Sequence, residues 1–438
     1  MGFGELPLRT RALADMRIDH LPWAPRDRLR VTKSDPPNRE ATWLAVQRLS
    51  RYAAHGSQAS TFSTKRGQMA RIRVGVIGCG AIAQIQHLPH LQELRNEFEI
   101  SAISDVSAGL LLAVGAEFGV PAERQFLDYH DLVTSELDAV IVCSSGSHAG
   151  PSIAAARAGK HVLVEKPMCT TVREAREMVA AADAAGVVLM VAYMKQHEPA
   201  YRYARDRVRE MSDVRFIQVN HLHPDNGLHV SEFDVLRFDD LPSGLVEASQ
   251  VEHRALIAEA IGYPSGDAVP PAMEYAYSLI LGSMIHDIGN LHGTFGPPAA
   301  VLSTEIWAEG HGISTVLAYD NEKRAVCTWV DLPELWEFKE TMEVYGSRER
   351  VIASFPTGFA RGLPSTVSVH GMDSDRLPWR KELSWHDNPF KLELQHFGAC
   401  IRTGARPETD GHSTVHDIAL VREIVLAYLE KREIRHES

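Results

Sequence analysis

No run of apolar residues in this 438-residue chain reaches the length of a membrane-spanning helix, which removes a helical membrane protein from consideration. Cysteine is scarce and unpatterned. Cys79, Cys143, Cys169, Cys327 and Cys400 are odd in number, widely scattered and without a C-x-x-C pair, so neither a disulfide framework nor a zinc site is expected, and a reducing cytoplasm fits. A surplus of positive charge is missing as well: 45 Lys and Arg stand against 57 Asp and Glu, a net charge of −12. That sign argues against a phosphate-backbone partner, so neither nucleic acid nor membrane is expected to bind. Residues 1–68 lack the apolar segment of a secretory signal. They are rich in Arg, carry Pro36-Pro37 and show one amphipathic piece, Ala41 to Tyr52; they read as a disordered extension.

From Met69 the pattern changes. The length asks for two domains or more, and the first opens on a β-branched run, Ile72, Val74, Val76 and Ile77, that reads as a buried parallel strand. It stops at Gly78-Cys79-Gly80-Ala81-Ile82-Ala83. Gly78 suits the tight turn, Gly80 lets the backbone close on a pyrophosphate, and Ala83 keeps the following helix near the sheet. Ala81 and Ile82 stand where the helix offers free N–H groups to the phosphates. A second strand, Glu99 to Ser104, ends at Asp105, 25 residues past Gly80, near the spacing for a carboxylate that grips the adenosine ribose. Asp105 repels a 2′-phosphate and Val106-Ser107 supplies no Arg, so NAD is expected over NADP.

The alternation that follows is that of a doubly wound α/β domain, a Rossmann sheet over 69–193. Helices are expected at Leu110–Phe118, Tyr129–Thr134, Pro151–Ala158 and Val172–Ala185, and strands at Gln125-Phe126, Asp138–Cys143, His161–Val164 and Val187–Ala192. Ligands bind at the carboxyl ends of such strands. Those ends carry Ser144, His148, Glu165 and Lys166, then Tyr193 and Lys195. Lys166 is the leading candidate to take a proton, since it leaves a parallel strand where cofactor and substrate meet.

The run Ala158-Gly159-Lys160-His161-Val162-Leu163-Val164-Glu165-Lys166-Pro167, with His148 and the glycine turn before it, resembles the Gfo/Idh/MocA family of glucose–fructose oxidoreductase and inositol dehydrogenase relatives. The likeness continues through Val191–Lys195 and returns at Phe397, Ile401-Arg402-Thr403-Gly404 and the helix Asp417 to Leu429. It implies a second α/β domain, 194–438, built on a large, mostly antiparallel sheet. Strands are expected there at Val214–His221, Val301–Trp307, Ser314–Tyr319, Ala325–Leu332, Lys339–Gly346, Arg350–Ser354 and Thr366–Val369. The resemblance also implies a cis bond before Pro167, a homodimer or homotetramer paired through an apolar sheet face, and a second catalytic segment with Asp and His four apart. His286 matches the histidine, but the Asp position is Gly282, and Asp287 points elsewhere on a helix.

The function so implied is NAD-dependent hydride transfer to or from a sugar, sugar derivative or cyclitol, with Lys166 and His286 catalytic and Tyr193 and Lys195 on the substrate. No metal is expected. His197, His221 and His223 are further proton carriers to consider. The stretch Pro224–Tyr277, with a helix from Gly244 to Ile261, reads as a substrate-side cap or an unstructured excursion. Two alternatives stay open: a cofactor-binding sensor without turnover, which Gly282 suggests, and glycoside cleavage through transient oxidation by bound NAD.

Overall fold

The computed structural model describes residues 70–437 except 321 and 361; the extension expected at 1–68 lies outside the described residues. Six strands form the first sheet: β1 (Ile72–Ile77), β2 (Phe98–Ser104), β3 (Gln125–Phe126), β4 (Ala139–Val142), β5 (His161–Glu165) and β6 (Leu189–Ala192). Their order is β3-β2-β1-β4-β5-β6 and every pairing is parallel. The strands run hydrophobic on both faces because helices cover both. The order reverses between β1 and β4, where the crevice of such a sheet receives its ligand.

Eight strands form the second sheet: β7 (Phe216–His223), β8 (Ala300–Trp307), β9 (Gly312–Ala318), β10 (Arg324–Asp331), β11 (Lys339–Tyr345), β12 (Glu349–Phe355), β13 (Ser365–Met372) and β14 (Pro378–Trp385). The order is β14-β13-β12-β11-β7-β10-β9-β8, antiparallel apart from β7 against β10. The fold is therefore the expected Rossmann sheet followed by a mostly antiparallel one. The seven expected strands form within two or three residues of their expected ends. The eighth, β14, escaped because it is an exposed edge whose Pro378, Arg380, Lys381 and Glu382 spoil the apolar alternation.

Register matters on this sheet. On the inner face one row runs Ile313, Trp329, His221, Glu340, Phe355 across β9, β10, β7, β11 and β12. The outer face carries the row Val316, Val326, Gln218, Glu343, Ile352, Ser368. The expected broad apolar outer surface is thus corrected: polar and aliphatic residues interleave there, all half-exposed.

Two further expectations need correction. The division at 193/194 separates the strands, yet the C-terminal region returns to the first sheet. Helix Pro389–Thr403 sends Leu394 and Phe397 into the core on one face of that sheet, and the Val191 N–H donates to the Thr409 carbonyl at 2.8 Å. Nor is Pro224–Tyr277 a single cap. It contains helices Asn226–Val230, Leu245–Ile261 and Pro271–Leu279, and its residues Leu236 and Asp240 reach the cofactor side of the first sheet.

Candidate active site

The glycine loop is built as the residue types demand. Gly78 has φ +91°, and a Cβ there would lie 2.4 Å from the Ser144 backbone, so only glycine lets β1 end against β4. Nothing lies within 4 Å of a Cβ added at Gly80, which leaves the loop's outer surface open for a close approach. The helix begins at Ala81 and Ile82 with the Gln84 N–H on the Gly80 carbonyl, and Ala83 is buried against the sheet. Asp105 closes the loop from β2: its carboxylate accepts from the Cys79 N–H at 2.8 Å and the Ser107 N–H at 3.0 Å. Lone pairs remain on both oxygens for a ribose hydroxyl. These residues fit a dinucleotide.

Next to the loop the helix takes one π-helical turn, Ala83–His87, a distortion frequent at functional sites. It brings buried His87 to Glu165, with Nε2 2.7 Å from Oε1. Burial works to raise the Glu165 carboxyl, but His87, with Lys166 and His148 behind it, prevails and holds it below the usual range. The ring nitrogens of His148 face the carbonyls of Pro167 (2.7 Å) and Ser144 (2.8 Å), tying the ends of β4 and β5 together. The Lys166-Pro167 bond is cis, as expected.

Lys166 points across the crevice and donates to the Gly282 carbonyl at 3.0 Å. Burial lowers its pKa, Lys195 adds to the effect and Glu165 opposes it. Gly282 lies in a second π-helical turn, Ile280–Met284. The next turn begins at Ile285 and carries His286, whose Nδ1 is buried and has no hydrogen-bond partner among the described residues. Burial first, then the charges of Lys195 and Lys166, pushes the His286 pKa far down, leaving it a neutral imidazole. Lys166, Lys195, His221, His223, Gly282 and His286 line one pocket, which Ile82 joins to the cofactor loop. A Cβ at Gly282 would meet nothing within 4 Å.

Beneath the pocket is a network only partly visible in the sequence. Lys195 is buried and ion-paired with Glu340, so it props the pocket wall rather than reaching freely for substrate. His221 Nδ1 is 2.8 Å from Asp287 and 3.7 Å from Glu340; its Nε2 is 3.2 Å from His223 Nδ1. An ionised Asp287 accepting from Nδ1–H leaves His221 Nε2 as acceptor for His223 Nδ1–H, and the Asn226 side chain also hydrogen-bonds the His223 ring. Burial lowers both imidazoles to about 4. It raises Asp287 to about 7 against the opposing charge of Lys195. The ligand atoms of His221, Asp287 and Glu340 gather within 4.8 Å, and the Lys195 ammonium is the cation at that cluster.

Glu340 and the inward role of Asp287 were missed, though a signal existed. In β7 and β11, alternation places His221 with Ile217 and Val219, and Glu340 with Met342 and Val344, on the buried face; charge at an inward position is costly unless partnered. Tyr193, expected on the substrate, is instead buried in the core and stands outside the pocket lining, its ring against Gly289. It precedes a 3-10 turn that rotates Lys195 toward the site and Tyr193 away. His197 is likewise fully buried, 5.1 Å from the His396 ring, and the pocket lining does not include it.

Residues 72–193 match the family model described as "Oxidoreductase family, NAD-binding Rossmann fold". The chain is 33% identical over 182 residues to inositol 2-dehydrogenase of Paracoccus denitrificans, covering 38% of this chain and 54% of that protein. Myo-inositol 2-dehydrogenase of Thermotoga maritima is 25% identical over 392 residues, 84% of this chain and 99% of that one. The chain thus spans about half the length of the first of these relatives. Among solved structures, aldose-aldose oxidoreductase of Caulobacter crescentus superposes with TM-score 0.62 at 19% identity, over 83% of this chain and 99% of that one. A 3-ketoreductase of Actinomadura kijaniata, solved with NADP and TDP-benzene, gives 0.61 at 22% identity, over 82% and 98%. With the matched Rossmann sheet, the Glu165-Lys166-Pro167 turn and the second sheet all in place, the chain is similar to the Gfo/Idh/MocA oxidoreductases, and residues 72–193 match that family's Rossmann fold.

Proposed function

We propose that this protein is an oxidoreductase that moves a hydride between a secondary hydroxyl of a sugar, sugar derivative or cyclitol and a nicotinamide coenzyme, with NAD preferred. The observation that supports this most is the meeting of Lys166, at the end of β5, with Gly282 and His286 of the opposite domain in one pocket that borders the glycine loop. The coenzyme supplies the hydride acceptor or donor at its nicotinamide ring. The chain supplies the rest. Lys166, its ammonium disfavoured by burial, takes the hydroxyl proton in the oxidative direction, and the unpartnered His286 holds the reacting oxygen. Lys195 and its Glu340 partner fix the wall on which further hydroxyls rest.

Gly282 does not remove the lysine from its place, since the main-chain carbonyl at 282 receives the ammonium directly. That contact favours turnover over a sensor role. NAD rather than NADP rests on Asp105, and a polyol substrate rests on the inositol dehydrogenase relatives. A cytoplasmic location accords with five free, buried cysteines and with the absence, among the described residues, of a helix long and apolar enough to cross a membrane. Replacement Lys166→Ala is expected to lower kcat about 10²- to 10⁴-fold while leaving coenzyme affinity nearly unchanged, measured by nicotinamide absorbance with a panel of polyols and by calorimetry. An unaltered rate in that variant removes Lys166 from the chemistry.

A further inference from the structure

The strap between helices Asn226–Val230 and Leu245–Ile261 runs back to the cofactor side of the first sheet. Its anchor is Leu236, whose N–H donates to Gln84 Oε1 at 2.8 Å while Gln84 Nε2 donates to the Leu236 carbonyl at 3.1 Å and to the Cys79 carbonyl at 2.8 Å. Gln84 belongs to the helix that leaves the glycine loop, so the strap is fastened to the loop itself. Phe238 then lies on Gly109, where a Cβ would come within 2.5 Å of its ring. Asp240 follows: its carboxylate accepts from the Ser107 hydroxyl and from the Gly109 N–H, the latter at 2.7 Å. Ser107 is the residue whose own N–H is held by Asp105 at 3.0 Å.

We infer that Asp240 is a coenzyme-selecting residue: together with Asp105 it brackets Ser107, so that an adenosine 2′-phosphate meets two carboxylates while a free 2′-hydroxyl meets one. The inference rests on the reading of the glycine loop as a dinucleotide site. A 2′-phosphate next to the acidic residue at the end of β2 needs hydrogen-bond donors or a cation there. The Ser107 hydroxyl and the Gly109 N–H, two neutral donors within four residues of Asp105, are already given to Asp240. Hydrogen bonds from Ser107 and then Gly109 hold the Asp240 carboxyl below the usual range, so it is ionised at neutral pH. The one cation on the strap between Phe233 and Asp240 is Arg237, which is exposed. A strap brought in from more than 120 residues away thus adds a second negative charge to a choice that Asp105 makes first.

Binding decides the matter without any knowledge of the substrate. Calorimetry is carried out with NAD and with NADP on the full-length protein, on Asp240→Asn, which removes the charge and keeps an acceptor oxygen, and on Arg237→Ala. The wild-type protein is expected to bind NAD more tightly than NADP. Asp240→Asn is expected to strengthen NADP binding about tenfold and leave NAD binding within about twofold, and Arg237→Ala to leave the ratio unchanged. A wild-type NADP-to-NAD ratio in Asp240→Asn, with both coenzymes still bound, overturns the inference and leaves Asp105 as sole selector. Loss of NADP binding in Arg237→Ala overturns it also, because the strap then attracts the phosphate. Failure of the wild-type protein and both variants to bind either coenzyme overturns the dinucleotide reading and the inference with it, whereas bound NAD without turnover of any polyol defeats the proposed reaction alone.

Discussion

Asp287 is buried against His221, Glu340 and Lys195, and burial raises its carboxyl from 3.8 to about 7. Its second neighbour, Glu340, is raised by burial in the same way, with Lys195 opposing. A carboxyl whose pKa is higher folded than unfolded binds its proton more tightly in the native state. Its contribution to stability is therefore fully present below about pH 4 and is lost as pH rises toward 7, at up to about 1.4 kcal/mol per pH unit. Asp287→Asn keeps the shape and removes the titration. The stability difference, variant minus wild type, is expected to grow in the variant's favour between pH 4 and 7 and to level off above. Urea denaturation at closely spaced pH values measures it; parallel stability curves would show that Asp287 is ionised throughout. The same group fixes the direction of the Asp287, His221, His223 chain, since an ionised carboxylate selects the tautomer in which His221 Nε2 accepts from His223 Nδ1–H.

Both helices that face each other across the crevice carry a π-helical turn, Ala83–His87 and Ile280–Met284. The first delivers His87 to Glu165, and the second contains the carbonyl that receives Lys166. Their glycines behave oppositely. Gly282→Ala puts a methyl group where nothing lies within 4 Å, and is expected to stabilise the protein by about 0.4 to 1 kcal/mol by restricting the unfolded chain. Gly78→Ala forces a positive φ and a 2.4 Å approach to Ser144, so it is expected to cost about 1 to 3 kcal/mol and to abolish coenzyme binding. Thermal denaturation and calorimetry check both variants, and equal effects at the two positions would contradict the geometry. At this scale the sequence was largely legible. Period-two and β-branched runs located thirteen strands, the glycine turn, Asp105 and Lys166 could be named because each sits at a strand end or helix start with a chemical reason, and His286 was named through the family resemblance alone. What stayed hidden has a physical cause: β14 is a charged edge, a π-turn changes no residue pattern, and Glu340 becomes a partner of Lys195 only when β11 is placed beside β7. Tyr193 misled because a single 3-10 turn after β6 reverses which side chain faces the pocket.

The two sheets do not form independent bodies. A single buried cluster runs from Val142, Val164 and Val191 of the first sheet to Val219, Ile313 and Val344 of the second and on to Ile418 and Val425 of the last helix. Leu394 and Phe397 complete the other face of the first sheet from a helix encoded after the second. By contrast, the mixed outer face of the second sheet removes the apolar argument for pairing, so a homodimer or homotetramer now rests on the family resemblance alone. Shared core has a consequence for unfolding. If the Rossmann half could melt alone, it would have to strip Leu394 and Phe397 from its own interior and break the pairing of Val191 with Thr409, exposing apolar surface on both sides of the break. Heating is therefore expected to give one transition over residues 70–437, coincident by far-ultraviolet dichroism and tryptophan fluorescence. The probes report on both halves, since Trp307, Trp329, Trp336, Trp379 and Trp385 lie in the second while helices and parallel strands fill the first. A coenzyme held at the glycine loop would contact mainly the first half, yet NAD at a hundredfold excess over its Kd is expected to raise the stability seen by both probes equally, by about 2.7 kcal/mol. A fluorescence transition that stays in place while the dichroism transition moves would separate the halves and break the link between the C-terminal helix and the coenzyme site.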